Sequence, residues 1–141
     1  MDNIIKQIFA QAKQLDCCDK FKGTEDLQGI INLFKPPQGL EFCINNHFPH
    51  ISTLRQFKPY NVGRYGIYID AGEITLSNPG LVLLIGNTTA TLNCSSNKAR
   101  NEVVLMHGAK AVINASEWSV TFIKVERGSY IKNIKDHAIV L

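Results

Sequence analysis

The chain has 141 residues, 45% of them hydrophobic and 19% charged, with a formal net charge of +3. That is enough apolar material for a packed core and too little charge for a disordered chain. Residues 1–60 carry seven Lys/Arg against six Asp/Glu and residues 61–141 carry eight against six, so neither half has the basic excess that nucleic-acid binding draws on.

The first residues, Met1-Asp2-Asn3, are acidic where a secretory leader is basic, and no long apolar stretch follows. No run approaches the ~20 apolar residues of a membrane span. The expectation is a cytoplasmic chain without a membrane segment. Its four cysteines, Cys17, Cys18, Cys43 and Cys94, then read as reduced and mostly buried thiols rather than a disulfide framework.

Ile4, Ile5, Ile8, Ala12 and Leu15 recur at helical spacing, which predicts an amphipathic helix over residues 3–15, capped by Asp2 or Asn3. A second helix is expected from Glu25 to Phe34. Thr24 is its N-cap, Glu25 and Asp26 sit in its first turn, and Pro36-Pro37 ends it. A third runs from Pro37 or Gln38 through Leu40, Cys43 and Ile44 to about His47, with Pro allowed in its first turn. A short helical turn around Thr53–Phe57 precedes Pro59. Residues 1–60 together read as a small helical cap subdomain.

From Tyr65 onward β-branched and aromatic residues dominate, punctuated by Gly, Asn and Ser. Four segments superimpose: Ile67–Ser77, Leu83–Asn93, Val104–Asn114 and Ile123–Asn133, offset by 16, 21 and 19 residues. Each reads strand, tight polar turn, strand, then Ser or Asn. One column holds Ile69, Ile85, Met106 and Val125. Another holds Ser77, Asn93, Asn114 and Asn133. A repeat of this length with a recurring Asn predicts a short β-solenoid over residues 61–141, in which equivalent side chains stack from coil to coil and bond the turn backbone. The alternative is an antiparallel roll or sandwich, with Ala71-Gly72, Gly86-Asn87 and His107-Gly108 as hairpin turns. In either fold the helices would cover one end. The apolar stretch His137–Leu141 would be a last strand, covered by the helices or paired with another copy, which makes Ala138, Ile139, Val140 and Leu141 a candidate self-association edge.

In repeat length and apolar rhythm, residues 65–141 are similar to bactofilin-like β-helix proteins, a resemblance that implies polymerisation; the helical front end departs from that pattern. Pro37–Cys43, Tyr65–Gly72 and Val103–Lys110 resemble stretches of uncharacterised small proteins of gut Bacteroidetes and their mobile elements, which implies no activity.

Candidate chemistry is sparse. Cys43, His47 and His50, with Cys17 and Cys18 upstream, are soft ligands of the type zinc takes, but no Cys-x2-Cys pair is present. A buried helical Cys beside surface histidines is the plainer reading, and no cofactor or metal is expected. Cys94, His107 and Asp70 lie near turns of neighbouring repeats without the spacing of any nucleophilic motif. Carboxylates of the β region, Asp70, Glu73, Glu102, Glu117 and Glu126, would have to converge in pairs to act on a polysaccharide. Asn87, Asn93 and Asn114 begin glycosylation sequons, yet Asn before Ser or Thr is also ordinary turn chemistry. No phosphate-cradling Gly-x-Gly-x-x-Gly loop occurs. Arg55, Lys58, Tyr60, Arg64 and Tyr65 cluster basic and aromatic residues, as an anion site or a solvated linker would. The leading expectation is a non-enzymatic structural or protein-interaction module that associates with itself or with a partner protein. The alternatives are a carbohydrate-active or ligand-binding β-helix protein and a phage or mobile-element accessory protein that binds a host protein.

Overall fold

The structure, a computed structural model, describes residues 2–14, 37–60, 62–95 and 100–141. The helix expected over residues 25–34, and Cys17 and Cys18, lie outside the described residues. The chain divides into two compact units, Met1–Asn61 and Val62–Leu141.

In the first unit, α1 (Asp2–Gln14) buries Ile4, Ile5 and Ile8, the stripe that its 3.6-residue periodicity marks out. Helix α2 (Pro37–Asn45) buries Cys43 and ends two residues before His47, which turns the chain with a positive φ of 49°. A short helix α3 (Ile51–Leu54) runs directly into a 3-10 turn, Arg55–Phe57. Gln11 donates to Thr53 Oγ1 at 2.9 Å, Gln56 donates to Gln7 Oε1 at 3.0 Å, and Phe42 meets Phe48 edge to face at 5.6 Å. No helix among the described residues is long and apolar enough to cross a membrane.

The second unit is a parallel β-solenoid of about four turns. Strands β1 (Ile67–Ile69), β3 (Leu81–Ile85), β5 (Asn101–Met106), β7 (Val120–Val125) and β9 (Ile139–Val140) form one sheet. Strands β2 (Gly72–Ser77), β4 (Thr88–Cys94), β6 (Ala109–Ala115) and β8 (Gly128–Ile134) form the other. All seven pairings are parallel, which removes the antiparallel roll. Ala71-Gly72, Gly86-Asn87 and His107-Gly108 are accordingly corners between the two sheets, and the strands they join do not pair with each other.

Alternation in β4 and β6 explains the core. Thr88, Ala90, Leu92 and Cys94 point inward while Thr89, Thr91 and Asn93 point out, and β6 repeats the pattern with Ala109, Ala111, Ile113 and Ala115 inside. Apart from Thr88, these inward residues form one cluster with Val82, Leu84, Val103 and Leu105 of the other sheet. The corners repeat too. Asp70, Gly86 and His107 hold equivalent places and all have positive φ, at 48°, 66° and 55°. Side chains then tie coil to coil: Asp70 Oδ1 accepts the Asn87 N–H at 2.8 Å, Asn78 Oδ1 the Ser95 N–H at 2.8 Å, and Asn101 Oδ1 the Gly80 N–H at 3.0 Å.

One expected column is displaced. Ile69, Ile85 and Met106 are in register, but Val125 pairs with Leu105 rather than Met106. The corner between β7 and β8 is one residue shorter than the corner between β5 and β6. The offset is therefore 20 residues in one sheet (Val104 to Lys124) and 19 in the other (Asn114 to Asn133).

Candidate functional site

The described residues bring no catalytic set together. Cys94 closes β4 in the core, at the corner opposite the one that holds His107, across a strand of seven residues or ~20 Å. Burial pushes its thiol up, away from the reactive thiolate. Asp70 and His107 share a corner column but lie two coils apart, roughly 10 Å at the usual strand spacing. The five carboxylates are spread over both corners and both sheets. Glu73 faces out from β2, Glu102 pairs with Arg100 at 3.1 Å, Glu117 sits in a turn, and Glu126 turns a side chain only 1% exposed toward His107 Nδ1 at 3.4 Å. In the first unit Cys43 is buried while His47 and His50 are exposed, and no group of three metal-ligating side chains occurs among the described residues. Arg55, Lys58 and Tyr60 belong to the first unit and Arg64 and Tyr65 to the second, where the Arg64 guanidinium lies over the Tyr65 ring at 4.8 Å.

Ser77, Asn93, Asn114 and Asn133 do share one register column, on the outward face of the four-stranded sheet. Its amides bond one another. Asn133 Nδ2 donates to Asn114 Oδ1 at 3.0 Å, and Asn114 Nδ2 donates to Asn93 Oδ1 at 3.2 Å. The ladder thus has a direction, and Asn133 Oδ1 is its open end. Of the sequon asparagines, Asn93 and Asn114 are held in this ladder, and Asn87 is exposed at a corner. Beside the ladder an open recess of about 640 Å³ is lined by Asn114, Asn133, Ser95, Ser116, Lys132 and Lys135 among others.

The terminal coil differs from those beneath it. The inward column Leu76, Leu92, Ile113 ends on Lys132, and the inward column Ile74, Ala90, Ala111 ends on Tyr130. Every residue of β8 is exposed. Six of the eight large apolar side chains exposed among the described residues fall in Trp118–Leu141: Trp118, Tyr130, Ile131, Ile134, Ile139 and Leu141. Trp118, 62% exposed and with a positive φ of 63°, stacks on His137 at 4.4 Å from the equivalent corner one coil on. Sequence reading passes over Lys132 and Trp118. The signal for Trp118 is that it stands 19 residues before His137, one repeat offset.

At the candidate edge Ala138–Leu141, β9 is hydrogen-bonded to β7 along one side and is the last strand of its sheet. Ile139 and Leu141 donate N–H groups to Ser119 and Thr121 of the previous coil at 2.9 and 2.8 Å, and Ala138 and Val140 are buried. Only Ile139 and Leu141 project apolar surface outward. Comparison of the chain with protein-family models, curated protein sequences and solved structures finds no match.

Proposed function

We propose that this protein is a non-enzymatic interaction module that engages another polypeptide through its terminal coil. The observation behind the reading is the concentration of exposed apolar side chains there: six of the eight among the described residues lie in Trp118–Leu141, beside a seven-residue edge strand with no Pro to blunt it. Patches and edges of this kind are costly to leave bare and are characteristic of contact surfaces.

A second copy of the chain is one occupant. Against unlimited coil-on-coil stacking stands Lys132, since a charge at the end of a core column blocks an apolar neighbour. A ligand-binding β-helix is the second reading, favoured by the recess beside the amide ladder. The outward face of the four-stranded sheet, however, carries one carboxylate, Glu73, and no aromatic ring, where a polysaccharide would need both.

Light scattering over a range of concentrations, with capture from lysate on immobilised protein, tests the reading in wild type and in Ile131→Asp. The expected result is a contact, with itself or with another protein, that the variant loses. A single monomer mass with identical capture by both proteins would sink it.

A further inference from the structure

We infer that the terminal coil takes up an extended acidic segment of a partner protein as a fifth strand of its four-stranded sheet. The inference rests on reading that coil as an interaction surface, and it names what the surface binds.

The sheets are unequal. β9 carries the first sheet one level past β8, and no described strand lies beside β8 at that level. The wall of this slot is the β8 backbone. Lys135 N–H donates to Ala115 C=O at 3.0 Å, and Arg127 C=O accepts from Gly108 N–H at 2.9 Å. Odd-numbered residues therefore face β6, and alternation turns the N–H and C=O groups of Gly128, Tyr130, Lys132 and Ile134 to the open side. One extended strand can pair with all of them, which is how sheet edges take up peptides.

The slot has a chemical preference. The core column Leu76, Leu92, Ile113 would run on into an apolar residue of the incoming strand, but Lys132 closes it. Lys135 stands on the same rim. β8 itself has no acid. Asp136 follows in the turn, and Glu126 at the other end is turned in on His107. A carboxylate next to Lys132 is matched, whereas an apolar or basic residue there is opposed.

The geometry also selects against a second copy. Pairing β8 with itself about a two-fold axis would drive the partner's β7 into the level that β9 holds. Stacking copies head to tail would set Leu76 of one against Lys132 of the next. A lone strand meets neither obstacle.

The test uses the full chain, isotope-labelled, with two fluorescent peptides: Thr-Val-Thr-Glu-Thr-Val-Thr and its twin with Lys for Glu. Expected is ~10-fold tighter binding of the acidic peptide, the scale of a matched against a mismatched cross-strand charge pair. Amide shifts should centre on Gly128–Ile134, and Lys132→Gln should collapse the difference between the peptides. Equal affinities, or shifts centred away from β8, overturn the inference. If neither peptide binds while the Ile131→Asp comparison still shows a contact, strand addition fails and the interaction surface stands. If that contact is missing as well, both fail.

Discussion

Asn114 is the middle rung of the amide ladder, and its removal gives a number that can be checked. It donates to Asn93 and accepts from Asn133, so Asn114→Ala deletes two side-chain bonds and strands two amides. At about 1 kcal/mol net for each bond, the cost is ~2 kcal/mol, with the half-buried Asn93 adding to it. Asn133→Ala deletes a single bond at an exposed edge and should cost no more than about half as much. For a unit of roughly 80 residues, ~2 kcal/mol corresponds to a fall in Tm of ~8–16 °C. Asn114→Asp separates the two roles, since a carboxylate still accepts from Asn133 but cannot donate to Asn93. Urea titration followed by far-UV circular dichroism measures all three variants. If Asn114→Ala costs no more than Asn133→Ala, the amides are decoration on the sheet and the stacking argument is wrong.

Three further outcomes follow from the core and corners. Ile113→Ala, fully buried between Leu92 and Lys132 in its column, should cost about 2–5 kcal/mol in the same titration, whereas Val112→Ala on the outward face should cost far less. Gly128→Ala should destabilise strongly, because a Cβ there overlaps the Ala109 carbonyl oxygen; a Tm within 2 °C of wild type, read by calorimetry to roughly the resolution of a small ΔΔG, would refute that packing. Cys94 should resist a thiol reagent in the native state and react on unfolding, as measured in a variant that keeps Cys94 as its sole cysteine. Burial raises its pKa in the folded state, so the unfolded chain releases the thiol proton first. Stability from this group is therefore intact below the ordinary thiol range and is lost as pH climbs from there through the raised folded pKa, and a rise in stability over that interval would contradict the assignment.

The solenoid was readable because each coil has to turn at the same place. That requirement writes Asp70, Gly86 and His107 at one corner and Ser77, Asn93, Asn114 and Asn133 at the end of each outer strand. The parallel pairing is harder to read, since a strand, a turn and a strand look alike whether the two strands pair with each other or with the next coil. The slip at Val125 was illegible for a local reason. Apolar residues occur on both faces of β7, so the pattern does not say where a corner has lost a residue. Lys132 and Trp118 escaped because their meaning depends on neighbours in space. A lysine in an exposed strand is unremarkable until Ile113 is seen beneath it, and a tryptophan in a turn until His137 is seen against its ring. The same limit applies to Cys94, His107 and Asp70, which counting by repeats brings close: the width of the coil separates Cys94 from the corner that holds the other two, and two coils separate those from each other.

Because Asn133 donates to Asn114 and Asn114 to Asn93, the three amide dipoles line up along the solenoid axis as peptide dipoles do along a helix. The column works as a side-chain wire with a negative pole at Asn133 Oδ1. A donor group that settles against that pole polarises the whole line. Through mutual polarisation such a donor would strengthen the two bonds beneath it, on the order of 10–30% for each.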